Sequence, residues 1–193
     1  MLIYENHYSK LQQMKIYLPL ALFLLIISFS FGQREISESE LITIHSQIEK
    51  DAVKLRDSLT INKDEFTTKY GIEIKVDIFK VKELRKRKIE INWSSKGMSN
   101  AVYEEEKNYD KLLNKYYSIL KSKLSVEDGK TLAESQRNWI KFRDTERKLS
   151  SIISNEKYSG GGTIQSNIRA GKFCEITEQR LLEIISYINR IIE

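Results

Sequence analysis

The sequence predicts an all-α protein: an antiparallel helical bundle with an N-terminal helical extension behind a signal peptide. Three observations carry this expectation. The only proline in 193 residues, Pro19, lies in the apolar N-terminal run, so no missing N–H or ring clash interrupts a helix after it. Apolar residues recur at three- and four-residue steps through most of the chain, the period of helices that bury one face. With 31% charged and 40% hydrophobic residues the composition is globular, and the length suffices for one core plus an extension.

The N-terminus reads as an export signal. Lys15 precedes an apolar run over residues 16–31, and Ser30-Phe31-Gly32 offers small residues at the two positions a signal peptidase reads, with Gln33 as the first mature residue. The run is also long enough to span a bilayer, so an uncleaved anchor is the competing reading. Met14-Lys15 resembles an ordinary start, which makes residues 1–13 an extension of the reading frame. No cysteine follows the run, which argues against a lipid anchor and for a periplasmic or secreted product without a stable membrane anchor after cleavage. Removing residues 1–32 leaves 30 basic and 26 acidic side chains, a net charge of +4. That mild, mixed balance argues against a nucleic-acid partner. Cys174 is the single cysteine, so no internal disulfide is available.

From residue 37 to 59, Leu41, Ile44, Ile48, Leu55 and Leu59 form an amphipathic stripe, and Ser37-Glu38-Ser39-Glu40 has the spacing of a capping box. His45 lies off that stripe, and no second ligand at matching spacing suggests a metal or any other cofactor. Asn62-Lys63-Asp64 reads as a turn, with Asp64 as the N-cap of the next helix. Ile72, Ile74, Val76 and Ile78 alternate as a strand would, and Ile89 and Ile91 could complete a short β-hairpin within 72–93. The same residues also fit two adjacent helical stripes. The run Lys82-Glu83-Leu84-Arg85-Lys86-Arg87-Lys88 between them lacks turn residues, so a helix is the preferred reading.

Ser94-Ser95-Lys96-Gly97 breaks the pattern and is taken as the boundary between an extension, residues 33–97, and a main domain, residues 98–193. In that domain Tyr109, Leu112, Leu113, Tyr116, Tyr117, Leu120 and Leu124 mark a helix over 100–124. Ser125-Val126-Glu127-Asp128 has capping-box spacing and starts the next helix, leaving room only for a tight antiparallel hairpin. Within it, Leu132, Gln136, Trp139 and Arg143 share one face that Ile140 and Phe142 widen, which predicts a strongly buried central helix around which the others assemble. A guanidinium one turn from an indole can pack over it while its fork reaches a carboxylate on a neighbouring helix. Gly160-Gly161-Gly162 comes next as an open turn, without the Lys-Ser or Lys-Thr that a phosphate-binding loop would place after it. The last helical region starts near Ser166, with Gly171 expected to kink it and Thr177 to re-cap it.

Several of these residues recur together in a known pattern. Tyr109, Asp110, Asn114 and Tyr117, then Gln136, Trp139, Arg143 and Asp144, then the glycine run, Cys174, Thr177 and Arg180, form an ordered set that resembles the lysozyme inhibitor LprI-like domain family over residues 98–188. The resemblance implies a small helical domain of an exported envelope protein that binds and blocks lysozyme. It also implies a second cysteine at position 147 paired with the later one. Arg147 stands there instead, and Cys174 is left without that mate.

Two functional readings are open. In the first the chain is a cell-envelope binding protein that inhibits lysozyme non-covalently, with Glu104, Glu105, Glu106, Tyr158, Gly160, Gly161 and Gly162 as the partner surface. In the alternative it is a structural or partner-binding periplasmic protein with no lysozyme target, and the motif residues serve the scaffold. An enzyme fits least. The mature chain offers one histidine and one cysteine with no spacing that links them, and Asp144 and Glu146 sit two apart on a helix and point to different faces.

Overall fold

The computed structural model describes residues 34–63 and 70–191, so the proposed signal region and the proposed cap at Asp64 lie outside the described residues. The described residues form six helices and no strand: α1 (Glu38–Ile61), α2 (Gly71–Ile91), α3 (Ser95–Lys123), α4 (Val126–Ile153), the single turn α5 (Glu156–Ser159) and α6 (Ile164–Arg190). The all-α expectation holds, and the alternating isoleucines at 72–78 lie on a helix. Ile74 and Val76 are buried there, because a helix inside a bundle buries more than one stripe.

Caps set the boundaries. Ser37 and Glu40 complete the predicted capping box at the start of α1. Ser125 caps α4 by accepting the Asp128 N–H at 3.1 Å, while the Asp128 carboxylate takes the Ser125 hydroxyl rather than its backbone N–H. Between α2 and α3, Asn92 Oδ1 accepts the Ser94 hydroxyl at 2.7 Å and Ser94 Oγ accepts the Gly97 N–H at 3.0 Å. A β-carbon at Gly97 would collide with the Asn92 side chain and carbonyl, so glycine is required for this tight reversal. Helix α3 therefore begins five residues before the position expected from its apolar stripe.

The pairings fix the topology. Ser99 bonds Asn167, Glu105 meets Cys174, Glu106 meets Thr177 and Tyr109 meets Glu178, so residue numbers rise together and α3 and α6 run parallel. Arg143 reaches Asp110 and Arg147 reaches Glu106, so α4 runs antiparallel to α3 as the tight connection predicted. Helix α2 is also antiparallel to α3: Lys88 pairs with Glu104, and Lys115 with Asp77. Tyr109, Leu113, Tyr116 and Leu120 of α3 pack with Leu181, Ile184, Ile185 and Ile188 of α6, joined by Ile74 and Val81 of α2 and Leu132 of α4. A smaller cluster of Ile44 and Ile48 with Leu84 fastens α1 to α2.

This arrangement corrects two expectations. Helix α4 is not the buried centre: only Gly129 and Leu132 are buried in it, and Ile140 and Phe142 are exposed. The core belongs to α3 and α6, which face each other directly and leave α4 braced against their flank. Helix α6 runs unbroken through Gly171, whose position faces open space, and through Thr177, which is fully buried with its hydroxyl donating to the Phe173 carbonyl at 3.3 Å. An internal hydrogen bond satisfies the threonine without a new cap.

Candidate partner-binding site

The motif residues are braces between helices. Arg180, 5% exposed, projects from α6 and donates from Nε to Gln136 Oε1 at 3.0 Å and from Nη2 to Ser135 Oγ at 3.1 Å, both on α4. Its third bond, 2.6 Å from Nη1, goes to Glu183 one turn along. Burial pushes the Glu183 carboxyl up, but the bonds from Arg180 and Tyr187 prevail and hold it below the usual range. Arg143 lies over Trp139, 5.1 Å from the indole centroid, donates to Asp144 at 2.9 Å and reaches Asp110 on α3 at 3.6 Å. The stacked indole and guanidinium predicted from their one-turn spacing are thus present, with Trp139 half-buried. Asn114 bonds the Asp110 carbonyl at 2.9 Å, Tyr109 is buried, and Tyr117 packs at the core margin.

Where the resemblance implied a cysteine, Arg147 makes an ionic brace. It pairs with Glu106, donates to Thr177 Oγ1 at 3.3 Å and lies 5.3 Å from the Phe173 ring centroid. Thr177 also donates to Glu106 at 3.1 Å. One cluster therefore ties α3, α4 and α6 together, at the cost of a buried Arg147 Nε with no hydrogen-bond partner among the described residues. A single changed residue gave no sequence signal of this three-helix contact, which depends on α3 and α6 lying parallel.

Successive residues on a helix point in different directions, and Glu104, Glu105 and Glu106 do so. Glu104 pairs with Lys88, Glu106 with Arg147, and Glu105 is buried against Arg85 at 3.3 Å. Glu105 lies in a cleft of about 270 Å³ lined by Lys82, Arg85, Tyr109, Cys174 and Glu178. Burial raises its carboxyl above the usual range against the opposing pull of Arg85. Burial and then the neighbouring Glu105 push the Cys174 thiol far up, and burial followed by Glu105 and Glu178 does the same to the Tyr109 phenol. Neither group is poised as a nucleophile. The Lys82–Glu178 contact at 3.3 Å was not foreseen, since it joins α2 to a helix almost a hundred residues away.

The second half of the expected surface is solvent-facing. Tyr158 is exposed, with Lys157 Nζ 5.3 Å from its ring centroid. Gly160, Gly161 and Gly162 all take positive φ, at 75°, 75° and 89°, so the chain reverses between α5 and α6 through backbone that other residues adopt only under strain. The loop crowns the end of the bundle where α4 stops and α6 begins. Among the described residues, no group of three or more His, Cys, Asp or Glu is placed to hold a metal, and no helix is long and apolar enough to cross a membrane.

Such a protein is a helical scaffold whose buried polar groups brace helix to helix and whose end loop is free for contact. Residues 91–184, from the end of α2 to the last third of α6, match the model of the family described as Lysozyme inhibitor LprI. No curated protein and no solved structure gave a match to the chain.

Proposed function

We propose that the chain is an exported cell-envelope protein that captures lysozyme non-covalently and blocks its lytic action. The family match over residues 91–184 carries this reading. The geometry supports it through the exposed loop of Tyr158 and Gly160 to Gly162, held at the end of a braced bundle where it can enter a concave site. Glu104, Glu105 and Glu106 of α3 are engaged internally, so recognition falls to the loop rather than to an acidic patch. A mature chain of net charge +4 gives no long-range attraction to a basic enzyme, so capture rests on short-range contact and responds weakly to salt. The test is a turbidity assay of lysozyme on bacterial cell walls with the chain from Gln33 onward in micromolar excess. Slowed lysis that weakens in Tyr158→Ala supports the proposal; an unchanged rate at every concentration ends it.

A further inference from the structure

The cleft around Glu105 is built by three helices. Gly171, Cys174 and Glu178 recur at three- and four-residue steps on α6, Lys82 and Arg85 stand one turn apart on α2, and Glu105 of α3, 4% exposed, forms the floor. Its rim is charged and open to water. Lys82 and Arg85 are exposed, and their contacts, Lys82 to Glu178 and Arg85 to Glu105, are both 3.3 Å. A close charge-assisted hydrogen bond is about 2.7–2.9 Å, so each cation stands near its carboxylate without closing on it. Glu175 also faces the cleft and meets Lys172 at 3.4 Å, so the three carboxylates of the cleft are balanced by three cations. Gly171 lies inside a 27-residue helix, where glycine is the least favourable residue after proline. A β-carbon there would meet nothing within 4 Å, so packing does not require the glycine; the missing side chain leaves one wall of the cleft low.

From this arrangement we infer that the cleft binds a small zwitterion of the α-amino-acid class, its carboxylate meeting Arg85 and Lys82 and its ammonium meeting Glu178 and Glu175. The volume of about 270 Å³ is below that of pockets for drug-sized molecules and suits one short amino acid. Mixed charge selects the ligand. A simple anion is opposed by the carboxylates and a simple cation by Lys82 and Arg85, whereas a molecule carrying both signs on neighbouring atoms satisfies both sets. Binding replaces the two wide ionic contacts with closer ones and must separate Arg85 from Glu105 and Lys82 from Glu178, so the expected affinity is millimolar. The site lies on the side of the bundle where α2 packs, not at the end that carries the glycine loop, and it does not depend on lysozyme capture.

The test follows the chain from Gln33 onward by heteronuclear NMR while L-alanine is added. Propionate and ethylamine, which each keep one of the two charges, are the comparison probes. Saturable shifts are expected at backbone amides of residues 102–109 and 171–178, with binding about tenfold or more weaker for either half-probe. Arg85→Gln should weaken alanine binding by about tenfold as well. Gly171→Leu places a side chain at the low wall and should abolish the shifts. Both variants should keep helical circular dichroism, since Arg85 is exposed and the Gly171 position faces open space. Absence of saturable shifts, an equal response to propionate or ethylamine, or undiminished binding by either variant overturns the proposal.

Discussion

Arg180 on α6 and Gln136 on α4 are joined by a 3.0 Å hydrogen bond from guanidinium Nε to amide oxygen, and this contact closes the bundle on the side where apolar packing is thinnest. Helix α4 buries little, so its position depends on polar braces.

Removing the arginine should therefore be costly. Arg180→Ala strips partners from Gln136, Ser135 and Glu183 at once and is expected to lower stability by about 3 kcal/mol in urea unfolding. Gln136→Ala leaves the guanidinium two of its partners and should cost about 1 kcal/mol. Equal losses would show that the bond to Gln136 carries the whole brace.

On the opposite side, Tyr116 donates its hydroxyl to Asp77 at 2.7 Å, joining α3 to α2, and Asp77 also receives Lys115 at 2.7 Å. Tyr116→Phe keeps the buried ring and removes one of the two donors. The expected cost is about 1 kcal/mol, read as a lower thermal midpoint with unchanged helicity.

Glu105 gives a pH dependence whose sign can be worked out. Its carboxyl is raised in the folded state by burial, so the folded protein holds this proton more tightly than the unfolded chain. The resulting stabilisation is complete below the ordinary glutamate range and is lost as pH rises through the elevated folded value. Glu105→Gln should remove this contribution. The stability difference between wild type and variant should move in favour of wild type as pH falls through that window, and parallel pH profiles would refute the assignment.

The Cys174 thiol is buried and held protonated. A thiol reagent at neutral pH should modify it slowly in the folded protein and rapidly after unfolding in urea. Rapid labelling without denaturant would place the thiol at an open surface instead.

At the loop, a β-carbon on Gly161 would stand 3.4 Å from Glu156 Cγ with φ at 75°. Gly161→Ala should cost about 1–2 kcal/mol locally, seen as faster hydrogen exchange at residues 156–163, and should weaken lysozyme inhibition without altering the core.

Much of the fold was legible because periodicity and caps are local. The stripe of Tyr109, Leu113, Tyr116 and Leu120 marked the inward face of α3 correctly, and Ser37 and Ser125 marked where helices start. Depth of burial was not legible. Leu132, Gln136, Trp139 and Arg143 do face inward, yet whether that face lies at the centre or the margin depends on which helices pack directly together. The polar clusters were hidden for the same reason. Glu105 and Cys174 are neighbours only once α3 lies along α6, and Arg147 and Thr177 only once α4 does so too. Adjacency in the sequence misled at Glu104 to Glu106, where the helix sends three like residues to three surroundings.

The parallel pairing of α3 with α6 bears on synthesis. Tyr109 and Glu178 are separated by 69 positions, as are Glu105 and Cys174, so the apolar face of α3 stays unpaired until α6 has left the ribosome. The hairpins made by α1, α2 and α3 can form early, but a nascent chain stopped before Leu181 keeps Leu113 and its neighbours uncovered. Such a polypeptide stays open until α6 emerges and then completes its interior in one step.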